Sequence, residues 1–389
     1  MPRYDVAIIG AGLAGLHCAK QLAEQGASVL LVDRKFDLTK GVHTTGIFVR
    51  KTFEDFRFPA GTLGKPIRNV TLYSPKMKTL DLESERDEFR VGKMGELYKV
   101  LLDECIDSGV EFTSSTRYVS TSPIGERTIV RLEKAGNPFE ITVNVLVGAD
   151  GAASRVSRDL CLEENKEWIV GYEEVFRSVS TDLEPRLHCF LDAELAPGYL
   201  AWVADDGEEA HVGVGGYAAA FHPQKALQEF KRKVEHLFDL RNELPIETRG
   251  GRIPVGGILK RISSSHGLLI GDAAGAVSPL TAGGLDPCLR LSSFAAAVIT
   301  ERLRSDDPID LLKYSGAHFR TRFISRLWMR RAIALCKSQT LIDLGFRFLC
   351  TGTGSRFAKH VFFGRGSFPD VPAGKSLDRA RHAGDGSLS

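Results

Sequence analysis

Apolar residues crowd two short stretches near the start of the chain, YDVAII at 4–9 and SVLLV at 28–32. Between them Leu13, Leu16, Ala19 and Leu22 recur at helical spacing. Continuous apolar runs of this length suit strands buried on both faces, and the three-to-four-residue spacing suits a helix with one buried stripe. The pattern predicts strand, helix, strand over 4–9, 13–25 and 28–32, the compact unit of a parallel sheet. Short strands such as VTLYS, punctuated by Gly and Pro, follow between 36 and 90, then a helix over 94–109. VEFTS, TIVRLE and ITVNVLVGAD read as strands, and strands also dominate 168–217. There GYLAWVADDGEEAHVGVGGY has the form of a hairpin turning at Asp205–Gly207. A helix over 224–240, a strand at LLIGD (268–272) and a helix over 287–304 complete the patterned part.

A parallel start, a β-rich interruption and a return to strand-then-helix imply a discontinuous first domain. We expect that domain over 1–165 and 265–310, an inserted sheet over 166–264 and a helical region over 311–366. The stretch 367–389 has few large apolar groups and is expected to be a disordered tail.

Composition changes this picture little. The 389 residues, 43% hydrophobic, suffice for about two domains. With 51 basic and 49 acidic residues the net charge is +2, so bulk charge gives no argument for nucleic acid. No two of the seven cysteines stand at C-x-x-C spacing, which argues against a metal site and fits a reducing compartment. Arg3 and the apolar run after it superficially suggest a signal peptide, but Asp5 interrupts the pattern. No run of 18 apolar residues is present. The expectation is a cytoplasmic protein, with any membrane association at its surface.

The strongest chemical signal is Gly10-Ala11-Gly12-Leu13-Ala14-Gly15, placed where the first strand gives way to the first helix. Gly10 permits a tight turn, Gly12 lets the backbone approach a pyrophosphate, and Gly15 allows close helix–strand packing. Free N–H groups at the helix start and the positive end of its dipole suit phosphates. Asp33, followed by Arg34, ends the second strand, where a carboxylate can accept from ribose hydroxyls. This context specifies a dinucleotide site without choosing between NAD and FAD.

Two later motifs make that choice. Gly148-Ala149-Asp150-Gly151-Ala152-Ala153-Ser154-Arg155 and Gly267-Leu268-Leu269-Ile270-Gly271-Asp272 resemble the Asp-Gly and Gly-Asp motifs of the para-hydroxybenzoate hydroxylase-like flavoprotein superfamily. The order and separation of the three motifs match over about residues 1–305. The resemblance implies an α/β fold: a Rossmann-type FAD-binding domain with an inserted antiparallel β-sheet substrate domain and a C-terminal helical region. It also implies FAD, with NAD(P)H as a transient electron donor. Asp272 would take the ribityl chain, and Asp150 would bind or shape the cofactor site. Arg90 would begin a helix and contact the cofactor. The start of the 287–304 helix would lie at the flavin pyrimidine edge, with Gly283, Gly284 and Leu285 close to the ring. Asp286-Pro287 reads as an N-cap followed by proline at the first helical position.

Within the superfamily, PGYLAWV at 197–203 with AHVGVGGY, and the Pro279-Leu280-Thr281 loop, resemble the geranylgeranyl reductase branch. Those enzymes pass hydride from reduced FAD to carbon–carbon double bonds of isoprenoid lipids. The branch's cysteine-containing glycine motif is matched by His43-Thr44-Thr45-Gly46, without a cysteine, and Val203-Ala204-Asp205 replaces its aromatic-proline pair. Thr45 and Gly46 join the cofactor set. His43 is the nearest titratable proton-donor candidate. Tyr199 and Trp202 are candidate walls of a substrate pocket.

Between 316 and 366 ten Lys or Arg stand against the single acid Asp343, interleaved with Phe323, Ile324, Leu327, Trp328 and Leu335. Such a basic amphipathic region can lie on an anionic membrane. The expected partner is a hydrophobic small molecule or lipid, with no nucleic acid and no metal. An NAD(P)H-dependent monooxygenase and a redox-neutral flavin-fold cyclase or binding module remain as alternatives.

Overall fold

A computed structural model describes residues 1–177, 184–238, 240, 244–320 and 323–364 of the chain. The expected tail at 367–389 lies outside them. At the centre of the first sheet runs Arg3–Ile9, paired in parallel with Val29–Val32 on one side and Asn137–Gly148 on the other. Glu111–Thr113 and Gly267–Leu269 extend this parallel core at its two ends. Every inner strand is Val, Ile or Leu rich because helices and loops cover both faces. Thr116–Ile124 and Arg127–Lys134 continue the sheet as antiparallel strands, so it is mixed.

Chain order along the core reverses at Arg3–Ile9: Val29–Val32 lies to one side and the much later Asn137–Gly148 to the other. Strands of an open parallel sheet bind ligands beyond their carboxyl ends at such a reversal. Register brings Ile9 beside both Val32 and Gly148, and Gly148 beside Leu269. Three sequence-distant motifs therefore emerge at one edge. The helix expected over 13–25 is α1 (Leu13–Glu24), whose stripe of Leu16, Ala19 and Leu22 is fully buried on the sheet.

A second, seven-stranded sheet runs in the order Glu247–Pro254, Trp168–Arg177, Glu209–Gly216, Ala201–Asp205, Arg186–Phe190, Asn69–Tyr73, Thr79–Leu82. The hairpin turning at Asp205–Gly207 joins Ala201–Asp205 to Glu209–Gly216. The sheet differs from expectation in two ways. It takes in two strands from 69–82, a span the sequence groups with the first domain, and Arg186–Phe190 pairs with Asn69–Tyr73 in parallel. Pairing between strands so far apart in the chain leaves no trace in local periodicity. The helix expected over 224–240 ends at Val234, because Phe238 and Leu240 turn back into the core.

Four helices of the C-terminal half frame the site. A long helix, α2 (Leu285–Ser305), packs against α1. Beyond it come α3 (Ile324–Leu335), α4 (Gln339–Leu349) and α5 (Gly352–Phe363). Among the described residues no helix is long and apolar enough to cross a membrane.

Candidate functional site

The carboxyl edge of the first sheet opens into a cavity of about 1430 Å³ that continues beneath the second sheet to α3, α4 and α5. Ordinary small-molecule pockets span about 300–1,000 Å³, so this one has room for a dinucleotide and a further ligand.

At the sheet end, Gly10 adopts φ +108° and packs against the Ala149 carbonyl so closely that a Cβ would clash at 2.3 Å. A Cβ on Gly12 would instead meet no protein atom within 4 Å. It would stand in the open space that borders the unpaired N–H groups of α1, a helix with no side-chain cap. Gly15 does not line the cavity. A Cβ on Gly15 would fall on the Gly10 carbonyl oxygen, so its absence is what lets α1 pack this closely on the turn. Its role is therefore packing rather than ligand contact.

Four further cofactor candidates are carboxylates or their neighbours. Asp33 accepts from the Ala11 N–H at 2.8 Å and the Lys35 N–H at 2.8 Å, which orients its carboxylate at the cavity beside Arg34. Asp150 accepts from the Arg155 N–H at 2.7 Å through Oδ2, while its Oδ1 is buried with no hydrogen-bond partner. Burial raises the Asp150 pKa despite those hydrogen bonds. Asp272 sits in a single 3₁₀ turn entered through Gly271 at φ +58°. Burial pushes its carboxyl up to about 6, and no described residue donates a hydrogen bond to it. Gly283, Gly284 and Leu285 line the cavity where α2 begins, and so do Leu13, Ala14, Thr45 and Gly46.

An FAD fits these residues: a glycine cradle open at Gly12, two uncapped helix starts, an unsatisfied Asp150 oxygen and an unpaired Asp272 carboxyl. Each is a polar feature that the protein alone leaves unanswered.

Two motif expectations fail. Arg90 lies in the strand Phe89–Gly92, not at a helix start, and does not line the cavity. Its guanidinium donates to Asp87 at 3.1 Å and sits over the Phe53 ring. The following helix begins only at Met94. Asp286 is not a cap. Gly284 is the N-cap residue of α2, and the Asp286 carboxylate is drawn inward to Arg290 and to the Thr52 hydroxyl. A charge-assisted buried partner outcompetes the backbone N–H groups that a cap would serve.

Beyond the cofactor end the wall turns apolar and aromatic. Trp202 is buried on the second sheet, its ring lying where a Cβ of Gly213 would clash at 2.3 Å. Its indole N–H is buried without an acceptor among the described residues. Tyr199 packs edge-on to Trp202 and donates its hydroxyl to the Thr281 carbonyl at 2.8 Å, pinning the loop before α2. Leu72, Leu187, Phe346, Phe357 and Phe362 complete this part. His43 also lines the cavity. Its Nδ1 lies 2.9 Å from the Gly250 carbonyl and donates to it.

Sequence motifs gave no sign of a buried polar cluster on the same wall. Glu173 accepts from the Thr45 hydroxyl at 2.5 Å and lies 3.4 Å from His211 and 3.7 Å from Arg249. Burial alone would raise the Glu173 pKa, but the His211 and Thr45 hydrogen bonds and the Arg249 charge outweigh it, and the value ends below normal. The glutamate stands in an ordinary alternating strand, so only the strand pairing reveals its partners. The C-terminal basic region also divides in a way its spacing does not announce. Arg320, Arg326 and Arg330 turn inward to the Ile258 carbonyl, Ser278 and Tyr217, while Trp328 and Leu335 are 65% and 81% exposed. Among the described residues no three His, Cys, Asp or Glu side chains cluster as metal ligands would.

Residues 3–314 match the family described as FAD binding domain. Curated relatives include digeranylgeranylglycerophospholipid reductase 1 of Methanopyrus kandleri, 31% identical over 320 residues, covering 78% of this chain and 82% of the relative. Reductase 2 of the same organism is 28% identical over 325 residues, covering 78% of each chain. The Methanosarcina acetivorans reductase is 27% identical over 317 residues, covering 78% and 77%. Among solved structures, a geranylgeranyl bacteriochlorophyll reductase-like protein from Thermoplasma acidophilum superposes with a TM-score of 0.81. It is 18% identical, over 94% of this chain and 98% of that one. A p-nitrophenol 4-monooxygenase from Pseudomonas putida gives 0.69 at 14% identity, over 98% and 97%. At these identities the two structures speak for the fold alone.

Proposed function

The chain belongs to the FAD-binding-domain family, in the branch of the digeranylgeranylglycerophospholipid reductases, and on that premise we propose that it hydrogenates carbon–carbon double bonds of a prenylated lipid. One observation carries the proposal: the space beside the glycine cradle runs without a break into a chamber walled by Trp202, Phe346, Phe357 and Phe362. Bound FAD, reduced by NADH or NADPH, supplies the hydride. The rest falls to the chain's own residues. The α1 N–H groups and Asp33, Asp150 and Asp272 would hold the dinucleotide, and the α2 N-terminus would oppose negative charge on it. Tyr199, through Thr281, fixes the loop between that edge and the chamber. Trp202, seated on Gly213, walls the alkene against the reacting face and excludes water. His43 holds the proton at Nε2 that completes the addition.

The lipid would reach the chamber from a membrane surface through α3, α4 and α5. Their outer faces carry Trp328, Leu335, Leu344 and Phe348 among the exposed cations Arg331, Lys337 and Arg347. Anaerobic turnover of the chemically reduced protein with a geranylgeranyl lipid should give a product that has gained two hydrogen atoms per reduced bond. A product formed only with oxygen, and carrying an oxygen atom, would mean a monooxygenase instead.

A further inference from the structure

On the α3 side of its apolar chamber the protein keeps two guanidiniums. Arg326 and Arg330 stand one turn apart on α3, and both line the cavity. Arg330 is only 2% exposed. Its guanidinium carbon lies 5.1 Å from the ring centres of both Tyr199 and Tyr217. Its Nε donates to the Tyr217 hydroxyl at 3.3 Å, while Nη2 is buried with no acceptor. Arg326 Nη1 donates to the Ser278 hydroxyl at 3.0 Å, and Ser278 in turn accepts from the Thr281 hydroxyl at 3.0 Å.

Neither arginine forms an ion pair among the described residues. Asp192, which also lines the cavity, is occupied by Lys233 at 2.5 Å and Gln339 at 2.7 Å. Burial lowers the Arg326 pKa with no acid to offset it. A cation withdrawn from water without a counter-charge is destabilising unless an anion answers it. The aromatic rings answer part of Arg330's charge, yet its Nη2 has no acceptor and Arg326 has no acidic partner among the described residues. Two guanidiniums one turn apart on the same wall can together answer the oxygens of phosphate.

We infer that Arg326 and Arg330 form an anion subsite that holds the phosphate or diphosphate at the head of a prenyl substrate. This rests on the prenyl-lipid reading of the chamber. The head would be fixed at the wall shared with the Ser278–Thr281 loop, so the distance from head to ring edge would select which double bond is presented. A phospholipid head and a free prenyl diphosphate share this chemistry.

Calorimetric titration of the FAD-loaded protein with inorganic pyrophosphate tests the subsite without turnover. Binding is expected at one site per chain, weakened at least ten-fold by Arg326→Gln and less by Arg326→Lys, which keeps the charge but not the fork. Losing Arg330 also removes the stack on two tyrosines, so the Arg326 pair carries the test if Arg330→Gln fails to fold. In turnover, kcat/KM for geranylgeranyl diphosphate or a geranylgeranyl glycerophospholipid should exceed that for geranylgeraniol, and Arg326→Gln should shrink that ratio at least ten-fold. The phosphorylated compound with the larger ratio identifies the source of the head group. No heat with pyrophosphate, or heat unchanged in Arg326→Gln, overturns the subsite. Failure to reduce any of these compounds would instead remove the prenyl reading, and the pyrophosphate titration would still decide the subsite.

Discussion

Asp286 and Arg290 face each other one turn apart on α2, with Arg290 Nε 3.0 and 3.1 Å from the two carboxylate oxygens. Both are almost wholly buried, and Arg290 also reaches Asp55 at 2.7 Å. The pair ties the first turn of α2 to the segment around Thr52 and Phe56. Removing one partner of a buried pair costs about 3–5 kcal/mol, and Asp55 keeps Asp286→Ala near the lower figure. Thermal unfolding should show a clear drop in Tm, with weaker FAD retention because the cofactor-end helix start shifts. An unchanged Tm would mean that the pair is not what holds α2.

Gly12 and Gly15 should separate binding from folding. Gly12→Val puts its branches into open space and should leave the apoprotein's melting temperature nearly unchanged while abolishing the flavin absorbance of the purified protein. Gly15→Ala drives a methyl into the Gly10 carbonyl and should cost about 1–3 kcal/mol of stability before any cofactor is added. If both variants lose stability equally, the cradle is not the open surface that Gly12 implies.

Asp272 makes cofactor affinity depend on pH. Its carboxyl, raised to about 6 by burial, holds a proton more tightly folded than unfolded, where it titrates near ~4. The apoprotein should therefore lose about 2–3 kcal/mol as pH rises from about 4 to about 6, and Asp272→Asn should not. Hydroxyl groups of FAD donate best to the ionised form, so FAD affinity should climb through the same window. Fluorescence quenching titrations between pH 4 and 7, flat in Asp272→Asn, would check this. A wild type as flat as the variant would refute it.

The outer faces of α3 and α4 should bind anionic vesicles. Trp328→Ser with Leu335→Ser removes two large exposed apolar groups, and flotation with phosphatidylglycerol vesicles should fall roughly ten-fold or more. Added salt should weaken what remains, since Arg331, Lys337 and Arg347 contribute by charge. Equal flotation of variant and parent would move the contact elsewhere.

Much of the cofactor end was readable in the sequence because its chemistry is local. A turn that needs Gly10 and an approach that needs Gly12 are written in adjacent residues, and the parallel register then gathers Asp33, Asp150 and Asp272. The failures have a different cause. Arg90 and Asp286 each stand near a helix start that their motifs predict them to serve, and each takes a charged partner instead: Asp87 three residues away, Arg290 four. The Glu173–His211–Arg249 cluster and the inward turn of Arg330 depend on strand pairing and helix rotation, for which single-residue patterns carry no code. The mixed direction of the second sheet is hidden for the same reason.

The cavity that begins at Gly12 and ends among Phe346, Phe357 and Phe362 is one room without an inner wall of protein. Whatever fills its first half becomes the floor of its second. The length of chain accepted by the far half is thus set jointly by the aromatic lining and by the tenant of the near half. Loading has an order as well. A long apolar ligand bound first would lie across the approach to Asp33 and bar the dinucleotide, so the cradle has to fill before the far half does.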